Sequence, residues 1–196
     1  RGEEKSVGIQ NTRYTILDSK EVTRLSAREG FEKIDDIHKN PFLAVAKSNG
    51  KYVIIKTAQS PFEGDITQKI SRASQENPVF GPGRNGFSRC LGYDDTVGLM
   101  VMEYLPGENF YELMNETSQD IWEPALTMDI FTERFALSVK LLKLIYFLEE
   151  NRVIFNDGFK LNTSVESGGY PAIIDCGMSY EGRPEPMVGN GYGFLQ

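Results

Sequence analysis

An aspartate at position 157 and an asparagine five residues later, Asn162, stand in the loop-like stretch VIFNDGFKLNTSV (153–165) between two apolar runs. A second aspartate, Asp175, closes the apolar run AIID and is followed by Cys176 and Gly177. Carboxylate and amide oxygens are the ligands a hard cation such as Mg²⁺ prefers. Lys56, in the strand-like stretch KYVIIKT, adds a cation able to hold phosphate oxygens. Phosphoryl transfer from ATP needs such a set: metal ligands, a carboxylate to orient the accepting hydroxyl, and a strand lysine for the phosphates. Taken singly, each has a plainer role, since Asp and Asn also cap turns and a strand lysine also faces solvent. The combination points to a site.

Those residues need elements to position them. FLAVAKS (42–48) and KYVIIKT (51–57) read as strands joined by Asn49-Gly50, the strongest two-residue hairpin signal. FEKIDDI (31–37) reads as a strand before them, and YTILDSKEVTRLSA (14–27) as a short helix capped by Asp18 or Ser19. Residues 1–12 are polar, contain glycine and read as loosely ordered. Ser60-Pro61-Phe62-Glu63 has the form of a helix start, with Ile66, Ile70 and Ala73 on one apolar side and Asn77-Pro78 as the stop. FSRCLGYDD and VGLMVMEYL make a further strand pair, broken by Pro106-Gly107 in the manner of a hinge. Beyond it the period turns helical, briefly over 109–116 and at length over 128–151, and an SGGYP turn (167–171) then joins Val165 to AIID. The fold class expected is α+β.

Composition excludes several alternatives. With 196 residues, 40% of them hydrophobic, the chain can bury a sizeable core. Its formal charge of −7 argues against a nucleic acid or an acidic membrane surface as partner. Cys90 and Cys176 are far apart and in no CxxC spacing, which argues for a reducing compartment. His38 alone cannot supply the usual zinc sites. The apolar stretch 135–148 is interrupted by Lys140 and Lys143, so no membrane span is expected. No signal peptide is visible, and Arg1 in place of Met leaves room for a preceding segment.

In order and spacing these motifs resemble the protein kinases. FNDGFKLN resembles the H-R-D-L-x-x-x-N catalytic loop, DCG (175–177) resembles D-F-G, and VIIK resembles V-A-I-K. LMVMEYLPGEN (99–109) is similar to the strand and hinge that hold adenine in that family. The resemblance spans about residues 31–180. It implies a bilobal fold: a small antiparallel N-terminal lobe with one helix through residue 105, and a reduced helical C-terminal lobe from 106. It also implies ATP and Mg²⁺ as cofactors. Lys56 would bind the α/β-phosphates, Asp157 would take or orient the acceptor proton, and Asn162 and Asp175 would hold Mg²⁺. Lys160 would reach a phosphate. Main-chain groups of Glu103 and Leu105 would meet the adenine edge, with Met102 at the back of the pocket and Glu108 or Asn109 at the ribose. Either Glu63 or Glu76, both on the helix after the lysine strand, would pair with Lys56.

The pattern departs from the family in places. HKNPFLA (38–44), between the first two expected strands, contains no glycine, so backbone N–H groups lose their close approach to phosphates. Phe155 and Asn156 stand where the family has His and Arg, and no A-P-E follows. The size and layout resemble the HopBF-type bacterial type III effector kinases, whose family substrate is the host ninety-kilodalton heat-shock chaperone. That narrower resemblance implies a monomeric effector acting on a Ser/Thr hydroxyl of a partner protein in host cytosol. The other readings are a pseudokinase binding module, a small-molecule kinase and an AMP transferase.

Overall fold

Asn49 and Gly50 adopt φ of 49° and 77°, the two positive values a type I′ hairpin demands. Around them β3 (Leu43–Ser48) and β4 (Lys51–Thr57) pair in antiparallel register, with Leu43 opposite Lys56 and Val45 opposite Ile54. The computed structural model describes residues 5–60, 62–110, 113, 128–156, 162–166, 168–177 and 179–182.

A second hairpin of the same kind precedes the first. Gln10 and Asn11, with φ of 47° and 64°, join β1 (Ser6–Ile9) to β2 (Thr12–Ile16). Residues 6–9 and 12 were expected to be loose and 14–16 helical; all are strand. Val7, Ile9, Tyr14 and Ile16 alternate with polar residues, and that period of two governs the segment. The helix begins only at Ser19: α1 (Ser19–Ser26) is capped by Asp18, whose carboxylate accepts the Glu21 N–H while Glu21 accepts the Asp18 N–H.

The expected strand over 31–37 is instead a helix, α2 (Ile34–Lys39). Its apolar residues, Phe31, Ile34 and Ile37, recur every three positions, a helical spacing that cannot keep them on one strand face. They pack with Leu17, Val22, Leu25 and Val45. Val22, Leu25 and Ile34 are at most 3% exposed, so their burial contributes on the order of 5–9 kcal/mol. The tip of this helical pair is pinned to the chain after the sheet, because the Tyr104 hydroxyl donates to the Gly30 carbonyl at 2.8 Å. Burial, then the Glu32 charge, pushes the Tyr104 hydroxyl up to about 12.

The strand pair expected next is β5 (Cys90–Asp94) and β6 (Leu99–Glu103), and β6 inserts between β4 and β5. The six-stranded sheet has the order β1-β2-β3-β4-β6-β5. It curls until its edges meet: Gln10 Nε2 donates to the Tyr93 carbonyl at 2.8 Å, and a Cβ on Gly92 would lie 3.3 Å from Ile9. Ile9, Tyr14, Ala46, Val53, Ile55 and Val101 fill the inside of the curl.

The main core lies on the other side of α3 (Glu63–Glu76). Ile66 and Ile70 from α3 meet Phe87 and one face of α4 (Met128–Glu150), with Leu141, Leu144 and Leu148 fully buried. The remaining strands are short: β7 (Glu108–Asn109), β8 (Val153–Ile154), β9 (Thr163–Glu166), β10 (Tyr170–Ile173) and β11 (Tyr180–Glu181). Of the turn expected over 167–171, Gly168 and Gly169 turn the chain from β9 into β10, Tyr170 and Pro171 already belong to β10, and Ser167 lies outside the described residues; β7 joins the other edge of β9. Most of the short helix expected over 109–116 lies outside the described residues.

Ile34→Ala should cost about 2–5 kcal/mol in urea unfolding, the range for emptying a filled apolar site; a loss under about 1 kcal/mol would mean that α2 is not packed as described. Tyr104→Phe should lose about 1 kcal/mol at neutral pH. The wild-type hydroxyl ionises near 10 when unfolded and about 12 when folded, so its contribution is full below about pH 10 and fades toward pH 12. The stability difference between wild type and Tyr104→Phe should therefore shrink across that window.

Candidate active site

Strand alternation turns Lys56 toward the same sheet face as Ile54 and Val45, opposite to the inside of the curl. A lysine so placed is 7% exposed and needs partners. It has two. Its Nζ lies 2.6 Å from Glu63 Oε1 and donates to Asp175 Oδ1. These groups come from three separated stretches: β4, the first residue of α3, and the residue two past the end of β10.

Glu63 is fully buried, and the choice between Glu63 and Glu76 is settled by position: Glu76 is exposed at the far end of α3. Glu63 also serves the helix start, since its Oε2 accepts the Gln59 N–H at 2.5 Å. Pairing with lysine and satisfying the local backbone, two uses that compete in the sequence, are made by different oxygens of one carboxylate. The expected Ser60 cap is not observed; Phe62 precedes the helix without a side-chain cap, and the Ser60 carbonyl accepts the Glu63 N–H at 3.3 Å. Pro61 lies outside the described residues.

Two glycines make room for this arrangement. A Cβ on Gly64 would sit 2.2 Å from the Tyr93 ring, so only glycine lets the start of α3 lie this close to β5. A Cβ on Gly177 would fall 3.2–3.4 Å from Asp175 Oδ1, Gln59 Oε1 and Glu63 Oε1. The Gly177 N–H donates to Asp175 Oδ1 at 2.8 Å, which fixes that carboxylate by a local turn. Asn162 arrives beside it because the Ile174 N–H donates to the Asn162 carbonyl at 2.9 Å, closing the β9–β10 hairpin.

Burial by itself works to lower the Lys56 pKa, but the Asp175 and then the Glu63 carboxylates outweigh it and hold Lys56 above the ordinary lysine value. Lys56 is therefore a fixed cation at neutral pH. Two carboxylates against one ammonium leave the group one negative charge in excess, which suits a divalent cation. No cluster of three or more His, Cys, Asp or Glu that could hold a metal occurs among the described residues. What exists is the Asp175 carboxylate with Asn162 close by in the backbone. One carboxylate and one amide fit Mg²⁺, which is bound by one or two carboxylates plus phosphates and keeps several waters.

The remaining predicted residues are less convergent. Met102 is buried on the Lys56 face, opposite Ile54. Both main-chain groups of Glu103 are engaged internally: its carbonyl accepts from Ser88 Oγ at 2.9 Å and its N–H donates to the Arg89 carbonyl at 2.8 Å. Its carboxylate pairs with Arg89 at 2.9 Å. Leu105 is half-buried, Glu108 is exposed, and the backbone of Asn109 pairs with Ser164 in β7–β9. Asp157 and Lys160 lie outside the described residues, as does the Asn109 side chain. Phe155, at the family's His position, is buried in the main core. Sequence reading missed Ser88, Arg89 and Gly64, whose roles come from contacts with distant strands, and the Lys69–Glu181 ion pair (2.6 Å), which ties α3 to β11.

No protein-family model matches the chain, and no curated protein does. Among solved structures it is similar to the crystal structure of the BubR1 kinase domain, with a TM-score of 0.56 and 12% identity over 92% of this chain. The fold is kinase-like. At that identity the likeness concerns fold alone, and this chain spans about half of that kinase domain, 51% of its length. No helix among the described residues is long and apolar enough to cross a membrane.

Lys56→Met should destabilise the protein by about 3–5 kcal/mol at neutral pH, because it strands the buried Glu63 charge. Lys56→Met combined with Glu63→Leu should recover a large part of that loss. With the folded Lys56 value raised, its contribution is complete below about pH 10.4 and is lost as pH climbs through the folded value. The gap between wild type and Lys56→Met should accordingly hold from neutrality to about pH 10 and narrow above it in denaturant titrations.

Proposed function

We propose that the chain is an ATP- and Mg²⁺-dependent protein kinase with a bilobal layout. It transfers the γ-phosphate to a Ser/Thr hydroxyl of a partner protein. The observation that carries this reading is the convergence of Lys56, Glu63 and Asp175, remote in sequence, into one buried charged group within a kinase-like fold.

In this reading Lys56, held rigid by Glu63, binds the α/β-phosphates once its bond to Asp175 is exchanged. Asp175 and Asn162 would hold Mg²⁺, which when bound neutralises charge on the phosphates. The acceptor hydroxyl oxygen forms a bond to the γ-phosphorus while the bond to the β-bridging oxygen breaks, releasing ADP. Asp157 orients that hydroxyl and takes its proton, and Lys160 supports the transferred phosphate. Removal of water from around the Lys56 group strengthens each of these interactions. The HopBF-type resemblance supplies the proposed setting: a monomeric bacterial effector in host cytosol acting on the ninety-kilodalton heat-shock chaperone. The pseudokinase reading, a binding module without transfer, is favoured by the engaged main chain of Glu103 and the lack of glycine over 38–44.

Radiolabelled ATP with Mg²⁺ and the purified chaperone is the direct test. Transfer should occur with the wild type, and Asp175→Asn and Asp157→Ala should each lower it by about 10²-fold or more. Circular dichroism should show both variants folded. Absence of transfer by a folded wild type that still binds ATP selects the pseudokinase.

A further inference from the structure

A nucleotide placed as proposed has its phosphates at Lys56 and its base beside Glu103 and Leu105. Between those points runs one face of the sheet. Lys56 and Ile54 share it, and the register sets Val45 opposite Ile54 on one side and Met102 on the other. A base stacked against this face would have to touch Val45 and Ile54, and the chain's own side chains already cover Val45 fully and Ile54 in part.

Val45 is completely buried in the cluster formed by α1 and α2, and Ile54 packs against the same cluster. The covering residues are Val22, Leu25, Phe31, Ile34 and Ile37. Phe31 stacks on Tyr104 with ring centroids 5.1 Å apart and meets Tyr52, also on the Lys56 face, edge-on at 5.3 Å. The capping box at Asp18 and the Tyr104–Gly30 hydrogen bond fix both ends of the helical pair. A second observation comes from the opposite side of the hinge. The Glu103 carbonyl and N–H, which would read the base edge, are bonded to Ser88 and Arg89.

We infer that the α1–α2 pair closes the base side of the cleft, so that nucleoside triphosphates are recognised by their phosphates and divalent cation rather than by their base. This rests on the phosphotransferase reading above and narrows it. With that apolar face covered and the Glu103 main-chain groups already bonded, purine and pyrimidine triphosphates become equivalent ligands. It also gives the glycine-free stretch 38–44 a reason. Residues 17–42, between β2 and β3, serve as a packed wall instead of a flexible flap over the nucleotide.

Calorimetric titration of the full chain with MgATP, MgGTP, MgCTP and Mg-tripolyphosphate tests this, with adenosine as a competitor. The dissociation constants of the three nucleotides should agree within about fivefold, roughly 1 kcal/mol. Tripolyphosphate should compete with them, and adenosine should not. Phe31→Ala, checked for folding by its thermal transition, should raise the preference for ATP over CTP by opening space beside Tyr104. ATP binding more than about fivefold tighter than CTP in the wild type, a difference above roughly 1 kcal/mol, overturns the inference and leaves the kinase reading standing. Binding of none of the triphosphates, with or without Mg²⁺, removes both.

Discussion

The Lys56 ammonium has been taken almost wholly out of water, and the structure around it is arranged to make that tolerable. An isolated buried charge is too costly to keep, so its neighbours must be anionic, close and fixed. Glu63 meets the first requirement from α3 and Asp175 from the end of β10, and each carboxylate is itself held by a backbone N–H. Three elements are thereby locked in mutual position by electrostatics that only a protected site makes strong. The apolar core of α3 and α4 lies on the other side of α3, so Glu63 at the start of that helix ties the charged group to the packing of the chain.

In the proposed kinase reading that lock is also a poised state. Asp175 Oδ1 is shared between Lys56 and Gly177, so a phosphate chain and a divalent cation entering the site would exchange existing bonds instead of ordering loose groups. Preorganised charges of this kind lower the cost of reaching a charged transition state. The Lys69–Glu181 pair, at the surface and open to solvent screening, adds little stability. It does link α3, which carries Glu63, to the strand that follows Asp175.

Residues 5–42 give the molecule its individual character. An added strand, β1, brings one sheet edge to the other and shuts an apolar interior that an open sheet of this size would leave wet. The helical pair that follows covers the opposite face near Tyr104. Each half of this segment uses a different period of the same small apolar set, two in the strands and three in α2.

Local chemistry was legible in the sequence. Asn49-Gly50 can be little other than a hairpin, Asp18 or Ser19 an N-cap, and 128–151 a helix, because turn φ values, capping bonds and helical periodicity are set by near neighbours. Lys56, Glu63 and Asp175 were singled out by residue type and order along the chain, and the fold brings these three together. Tertiary structure decided the rest. Phe31, Ile34 and Ile37 carry a helical spacing, but which surface they cover was decided by the sheet face of Val45 and Ile54, and which glutamate faces Lys56 by the close approach of α3 to Tyr93 that Gly64 allows. Main-chain groups at Glu103 look available in the sequence and are spent on Ser88 and Arg89 in the fold. Burial and pairing are properties of groups far apart along the chain, and no local pattern of residues encodes them.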